Sequence, residues 1–275
     1  MKTNDLDQIL DLERFPLDDL DGPTGRALIA RCRDDLAQSG ATSLEGLIRT
    51  DALEACIAEV KPALDTASFI HAREHNVYFD DDIPGLAPDH PVLKRFKTVN
   101  HTVCADQIPA SKVIQIYHWA PLRAFLAAIM GKEVIYTMPD PLACANVMAY
   151  RAGNALNWHF DRSEFTTTLL LQTPDAGGVF EYRPGLRTEQ DPNYDGVARF
   201  LEGGDEDIQT TDLPPGTLNV FKGRYAAHRI TPVTGDRERI IAIFSYYDRP
   251  DKTFSNEERM GFYGRSEPYA PPANG

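Results

Sequence analysis

The chain is short of positive charge. Its 275 residues carry 28 Lys and Arg against 41 Asp and Glu, a formal net charge of −13. A phosphate backbone needs a basic face, so nucleic acid is not the expected partner. Cysteine is also scarce: Cys32, Cys56, Cys104 and Cys144 are widely scattered, with no C-x-x-C spacing. That pattern argues against a disulfide scaffold and a thiolate zinc site, and reduced buried thiols in a cytoplasmic protein are expected instead. Long apolar runs are missing. No stretch reaches the roughly 18 residues of a membrane span, and Met1–Asp7 has neither the basic nor the apolar segment of a leader peptide. Internal repeats are absent, and so is low-complexity sequence before the final Pro/Ala/Asn/Gly residues. What is present is ordinary globular composition, 42% hydrophobic and 25% charged, enough for one large domain or a domain with an extension.

Residues 5–65 read as helices. Leu28, Ile29, Cys32 and Leu36 fall at helical spacing after a break at Gly22-Pro23, and Gly40 ends that run. Ser43 and Glu45 open another, continuing through Leu53, Cys56, Ile57 and Val60. Charges on both faces suit helices that cover a sheet. His71 and His75 lie four apart, but Asn76–Phe79 looks extended and argues against the helix that a zinc pair needs. Asp80-Asp81-Asp82 lacks the alternating ligands of a calcium loop and reads as a solvated turn. The proline-rich stretch 85–110 reads as loop and can form a lid. Ile114–Met130 has the pattern of one amphipathic helix or two, with Pro121 opening the second part and Gly131 ending it.

The texture then changes. Val134–Tyr136, Ala143–Tyr150, Phe165–Gln172, Gly178–Tyr182, Thr217–Phe221 and Arg239–Tyr247 are short strand candidates separated by Gly, Pro, Asn and Asp. They predict an antiparallel sandwich or barrel. Residues 184–215 are longer than a hairpin needs, with a helix expected near 195–201 and an acidic tip at 202–207. Ser255–Arg265 reads as a short helix returning Phe262 and Tyr263 to the body. The expected organisation is a helical region with a lid over 1–130, a β core over 131–250, and a helix and tail over 251–275.

The stretch around which the chain is organised is Trp158-His159-Phe160-Asp161. On a strand or its extended end, residues i and i+2 point to one side, so His159 and Asp161 can reach one metal ion. His228, between two strand-like runs, supplies a third ligand. Two imidazoles and a carboxylate on one face of an octahedral ion leave three positions open, the facial triad of non-haem iron oxygenases. Arg237 and Arg239 follow His228 by 9 and 11 residues. At the start of a strand, a buried arginine can hold a carboxylate in a bidentate fork. The two arginines have the same parity. Gly235-Asp236 is a turn signal, so Arg239, next to the apolar run, is favoured over Arg237.

With these positions the sequence resembles the Fe(II)/2-oxoglutarate-dependent oxygenases. The segments Asn146–Arg151, Asn157–Asp161, Gly177–Tyr182, Phe221–Arg224, His228–Val233 and Phe262–Arg265 resemble a bacterial subgroup of carrier-free amino-acid halogenases and their hydroxylase relatives. The resemblance implies a double-stranded β-helix, a jelly-roll of two packed sheets with N-terminal helices on it. It implies Fe(II), 2-oxoglutarate and O2 as cofactors, with His159, Asp161 and His228 as metal ligands and Arg239 or Arg237 on 2-oxoglutarate. It implies a small-molecule substrate, an amino acid or derivative, with Arg73 on its carboxylate. Ser245, of the same parity as Arg239, and Tyr263 are expected in the pocket. In the halogenases glycine replaces the metal carboxylate and opens a halide position; Asp161 fills it here, so hydroxylation is favoured. Arg162, beside Asp161, is unsuited to a lysine-like cation and points to a neutral or acidic substrate. Alternatives are desaturation or cyclisation by the same iron chemistry, a peptide substrate, or a jelly-roll sensing module without turnover.

Overall fold

A computed structural model describes residues 6–269. The first residues of the leader-peptide reading and the end of the C-terminal tail lie outside them. Pro23 opens α1 (Pro23–Gln38), whose Leu28, Cys32 and Leu36 form one buried stripe. Gly40 takes a positive φ of 75° and turns the chain into β1 (Ala41–Leu44), followed by α2 (Thr50–Thr66). Then come β2 (Phe69–His75), β3 (Phe96–Cys104), α3 (Lys112–His118) and α4 (Ala120–Ile129). The remaining chain is mostly strand: β4 (Tyr136–Thr137), β5 (Ala145–Tyr150), β6 (Leu156–His159), β7 (Thr166–Gln172), β8 (Ala176–Gly177) and β9 (Phe180–Arg183). After α5 (Tyr194–Leu201) follow β10 (Gln209–Thr211), β11 (Leu218–Phe221), β12 (Ala227–Ile230), β13 (Val233–Thr234), β14 (Arg239–Phe244), β15 (Tyr246–Tyr247) and α6 (Asn256–Tyr263).

The strands form two main antiparallel sheets. The larger runs β1-β11-β7-β14-β5-β3-β2 and the smaller β10-β9-β12-β6. Side chains of the larger sheet alternate between two destinations. Ala145, Val147 and Ala149 of β5, and Ile240 and Ala242 of β14, enter the core shared with the helices. Asn146, Met148, Tyr150, Arg239, Ile241 and Ile243 face a cavity between the sheets. Leu156 of β6, Phe180 of β9 and Ile230 of β12 close it from the smaller sheet. This is the expected jelly-roll, with the helical layer outside one sheet and the site between both.

Several local expectations change. The first 130 residues are not all helical, since β1, β2 and β3 extend the main sheet. Ser43 lies in β1, and the helix expected to begin there starts at Thr50. The stretch read as loop contains the nine-residue β3. Its polar residues are buried by pairing: Thr98 Oγ1 meets His75 Nε2 at 2.7 Å, and Thr102 donates to Asn100 at 2.7 Å. His71 and His75 sit on β2, not on a helix. Asn76–Phe79 is a turn, with Phe79 at φ 56°. The helix pair with Pro121 in the first turn of its second part, and the helix in the 184–215 segment, form as expected.

Candidate active site

β6 ends at His159, and the chain continues extended past it, its Asp161 N–H donating to Gly223 O at 3.0 Å. β12 pairs with β6 in the register His228↔His159. One local spacing and one strand pairing thus bring three ligands together. His159 Nε2 lies 3.5 Å from Asp161 Oδ1, and His228 Nε2 lies 3.3 Å from Asp161 Oδ2. The three ligand atoms fall within 4.8 Å of one another, and among the described residues this is the cluster of that kind.

The tautomers follow from the backbone. His159 Nδ1 donates to Asn157 O at 2.8 Å and His228 Nδ1 to Ala226 O at 2.9 Å. Each Nε2 lone pair is therefore free to bind a metal. Burial, then the neighbouring His228, lowers the His159 pKa and keeps it neutral. Burial pushes the Asp161 carboxyl up, but His228 and His159 outweigh it and hold the group well below its ordinary value. Two imidazoles, each presenting Nε2, and a carboxylate are the donor set of the facial triad, so the residues fit a ferrous ion.

Arg239 opens β14 opposite Tyr150. It is buried, its Nε has no hydrogen-bond partner, and burial pushes its pKa down to about 10. A buried, unpaired guanidinium is costly unless an anion completes it. Apolar Leu170, Leu213, Ile230 and Ile241 line the same cavity. This environment fits a carboxylate of 2-oxoglutarate. Arg237 is exposed, and only its backbone N–H is engaged, to Asp175 at 3.0 Å.

The other expected residues also reach the cavity. Arg73 stacks over Phe79 at 4.3 Å, with a buried Nε lacking a partner. Arg162 lies at the mouth, exposed, and donates to Glu258 at 2.5 Å. Ser245 lines the cavity while its carbonyl accepts from Tyr117. Tyr263 is buried and donates to Asn146 Oδ1 at 3.1 Å.

Some supporting residues escaped the sequence reading. Thr166 donates to Asp161 Oδ2. Gly223 leaves room for that carboxylate, since a Cβ there would fall 2.3 Å from Asp161 Oδ2. Its place in the Phe221–Arg224 segment was the available signal. Arg187 lies over Phe160, the residue between two ligands, at 4.0 Å. Nothing in the 184–215 segment indicated this.

Buried His71 and His75 have pKa values pushed down to about 4, mainly by burial. The unfolded chain therefore takes up protons first, and stability present above pH 6.5 is lost as pH falls toward 4. The loss is about 3 kcal/mol per histidine. Urea midpoints measured across this range should fall, and fall less in His71→Leu, which binds no proton.

The family model for Halogenase D matches residues 24–261. No curated protein matches the chain. Among solved structures, the non-haem alpha-ketoglutarate-dependent carbocyclase SnoK from nogalamycin biosynthesis is similar at 12% identity and TM-score 0.58, covering 88% of this chain and 93% of that one. The epimerase SnoN from the same biosynthesis is similar at 14% identity and TM-score 0.58, covering 81% and 82%. A prolyl hydroxylase from Trichoplax adhaerens, in complex with a hypoxia inducible factor peptide, is similar at 12% identity and TM-score 0.53, covering 81% and 90%. At these identities the structures show the fold, and the family match supplies the rest: the chain belongs to the Halogenase D family and is an enzyme built on the double-stranded β-helix of the Fe(II)/2-oxoglutarate oxygenases.

Proposed function

We propose that the chain is an Fe(II)/2-oxoglutarate-dependent hydroxylase of an unactivated C–H bond in a free amino acid or related small metabolite. The observation that carries this reading is an intact His159/Asp161/His228 cluster sharing one cavity with the unpaired, buried Arg239. When bound, iron and 2-oxoglutarate supply with O2 the oxidising power that a protein side chain lacks. The chain's own residues do the placing. His159 and His228 present Nε2, fixed by their Nδ1–H bonds to Asn157 and Ala226. Asp161, oriented by Thr166, would supply the third ligand. Arg239 takes the far carboxylate of 2-oxoglutarate in a charge-assisted pair. Arg73 takes the substrate carboxylate, while Tyr263 and Ser245 shape the wall. Phe79, Phe160, Phe254 and Phe262 surround the reacting region with apolar surface and limit water. A cavity of about 630 Å³ suits a small metabolite. The four buried free cysteines suit a reducing, cytoplasmic setting.

Asp161 decides between outcomes within a family named for halogenation. With a protein carboxylate on the metal, the position a halide needs is filled. Wild-type enzyme given Fe(II), ascorbate, 2-oxoglutarate and an amino-acid panel in saturating chloride should form succinate and a product heavier by one oxygen. Mass spectra should show no chlorine isotope pair. A substantial chlorinated fraction would overturn both the hydroxylase reading and the ligand role of Asp161. Asp161→Gly should lose most activity, because the surrounding hydrogen bonds were not arranged for an anion there.

A further inference from the structure

The cavity wall is cationic although the whole chain carries −13. In the reading above Arg239 and Asp161 serve cosubstrate and metal, and Lys132 neutralises Glu164 at 2.7 Å. The charged lining that remains is Arg73, Arg162, Arg224, Arg249 and Lys252 against Asp248 alone. Arg224 is engaged internally, donating from Nε and Nη2 to the Arg162 carbonyl at 3.1 and 2.6 Å. Arg249 lies 3.9 Å from Asp251. Lys252 lies over a different ring, Phe254, at 5.9 Å. Arg73 and Arg162 are the two that converge: their guanidinium carbons lie 5.3 and 5.7 Å from the centre of the same ring, Phe262.

Two cations around one ring repel each other. Burial, followed by the charge of Arg162, lowers the pKa of Arg73. Among the described residues no carboxylate lies within ion-pair distance of Arg73. Glu258 holds Arg162 from the outside at 2.5 Å through Nη1 only, its other oxygen accepting from Ser255 N at the start of α6. Nε and Nη2 of Arg162 are left for a ligand. His71 deeper in the wall is neutral at physiological pH, its pKa near 4. The remaining polar lining includes the uncharged Asn100, Thr102 and Asn146. The field at the mouth thus favours negative charge and disfavours a cationic side chain.

We infer that the substrate carries two anionic groups, one met by Arg73 and a second, on its side chain, met by Arg162, as in a dicarboxylic or phosphoryl-bearing amino acid. This deepens the hydroxylase reading and rests on it for the use of the cavity. Arg162 is then a specificity-determining residue, placed by its stacking on Phe262.

The test is calorimetric binding to the full chain loaded with Zn(II) and saturating 2-oxoglutarate, which needs no turnover. The probes are aspartate, glutamate, O-phosphoserine, their neutral counterparts asparagine, glutamine and serine, and lysine. Acidic ligands should bind at least about tenfold tighter than the neutral ones, since a charge-assisted pair is gained. Aspartate or glutamate ahead of phosphoserine assigns a carboxylate, and the reverse assigns a phosphoryl group. Arg162→Glu should erase the acid preference and improve lysine, whereas Arg162→Lys should keep part of it. Glu258→Gln separates this role from a mere latch on α6. It frees the guanidinium and should preserve or raise the preference for acids, whereas a latch predicts that it behaves like Arg162→Glu. Equal or better binding of neutral ligands or lysine, or no binding by either class, overturns the inference. If acids bind with this preference but iron-loaded enzyme makes no succinate with them, the hydroxylase reading fails and the anion site stands. If only neutral amino acids are hydroxylated, the reading stands and the anion site fails.

Discussion

Replacing His228 by alanine should abolish iron binding and 2-oxoglutarate turnover together. His228 reaches the cluster by strand pairing with His159, and its Nε2 lies 3.3 Å from Asp161 Oδ2. Without it two of the three protein ligands remain, and the half-buried Asp161 carboxylate loses the partner that most strongly holds its proton off. Altering groups that only orient a metal ligand costs roughly 10- to 100-fold in metal affinity or activity. Removing a ligand outright should cost more than about 100-fold, beyond the range of those supporting bonds. The measurement is metal content after anaerobic loading, together with succinate formation. His159→Ala and Asp161→Ala should behave alike. Near wild-type iron affinity and turnover in His228→Ala would remove this histidine from the site.

Arg239→Met should separate stability from function. The guanidinium is buried without a partner, and its pKa is pushed down to about 10, principally by burial. A cation whose folded pKa lies below its unfolded value costs stability wherever both states stay protonated. That cost is fully present below about pH 10 and relieved as pH rises from there toward the ordinary arginine value. At neutral pH, methionine should therefore raise the melting temperature of the ligand-free protein, by about 2–4 °C for each kcal/mol recovered. In the proposed function the same change removes the partner of the cosubstrate's far carboxylate. Truncating one side of such a pair costs about 2–5 kcal/mol, or roughly 30- to several-thousand-fold in Kd. Wild type should gain melting temperature on adding 2-oxoglutarate, and the variant should not. Arg237→Ala should do little, because its side chain is exposed. If Arg237→Ala instead loses 2-oxoglutarate binding, the cosubstrate arginine has been chosen wrongly.

The legible parts of the fold were those where burial is carried by apolar residues at a regular period. α1 showed through Leu28, Cys32 and Leu36, and β14 through Ile240 to Phe244. β3 was hidden because Thr98, Asn100, His101 and Thr102 are buried but polar. They are tolerated by hydrogen bonds to partners that the strand pairing brings near, such as His75. β6 and β12, four residues each, are too short to show a period. Yet they carry His159 and His228, so the metal centre was found through residue chemistry and family resemblance, not through strand pattern.

The sequence by itself determined the local part of the site. The spacing of His159 and Asp161 puts both groups on one side of an extended chain, wherever that chain lies. Tertiary structure decided what depends on register and depth. Arg237 and Arg239 share parity, and burial alone tells them apart, because β14 begins at Arg239 between β5 and β7. The meeting of Arg73 and Arg162 at Phe262 joins β2, the segment after β6, and α6. No period links positions so distant in the chain. Their distances are set by how the sheets pair and how the C-terminal helix docks on them.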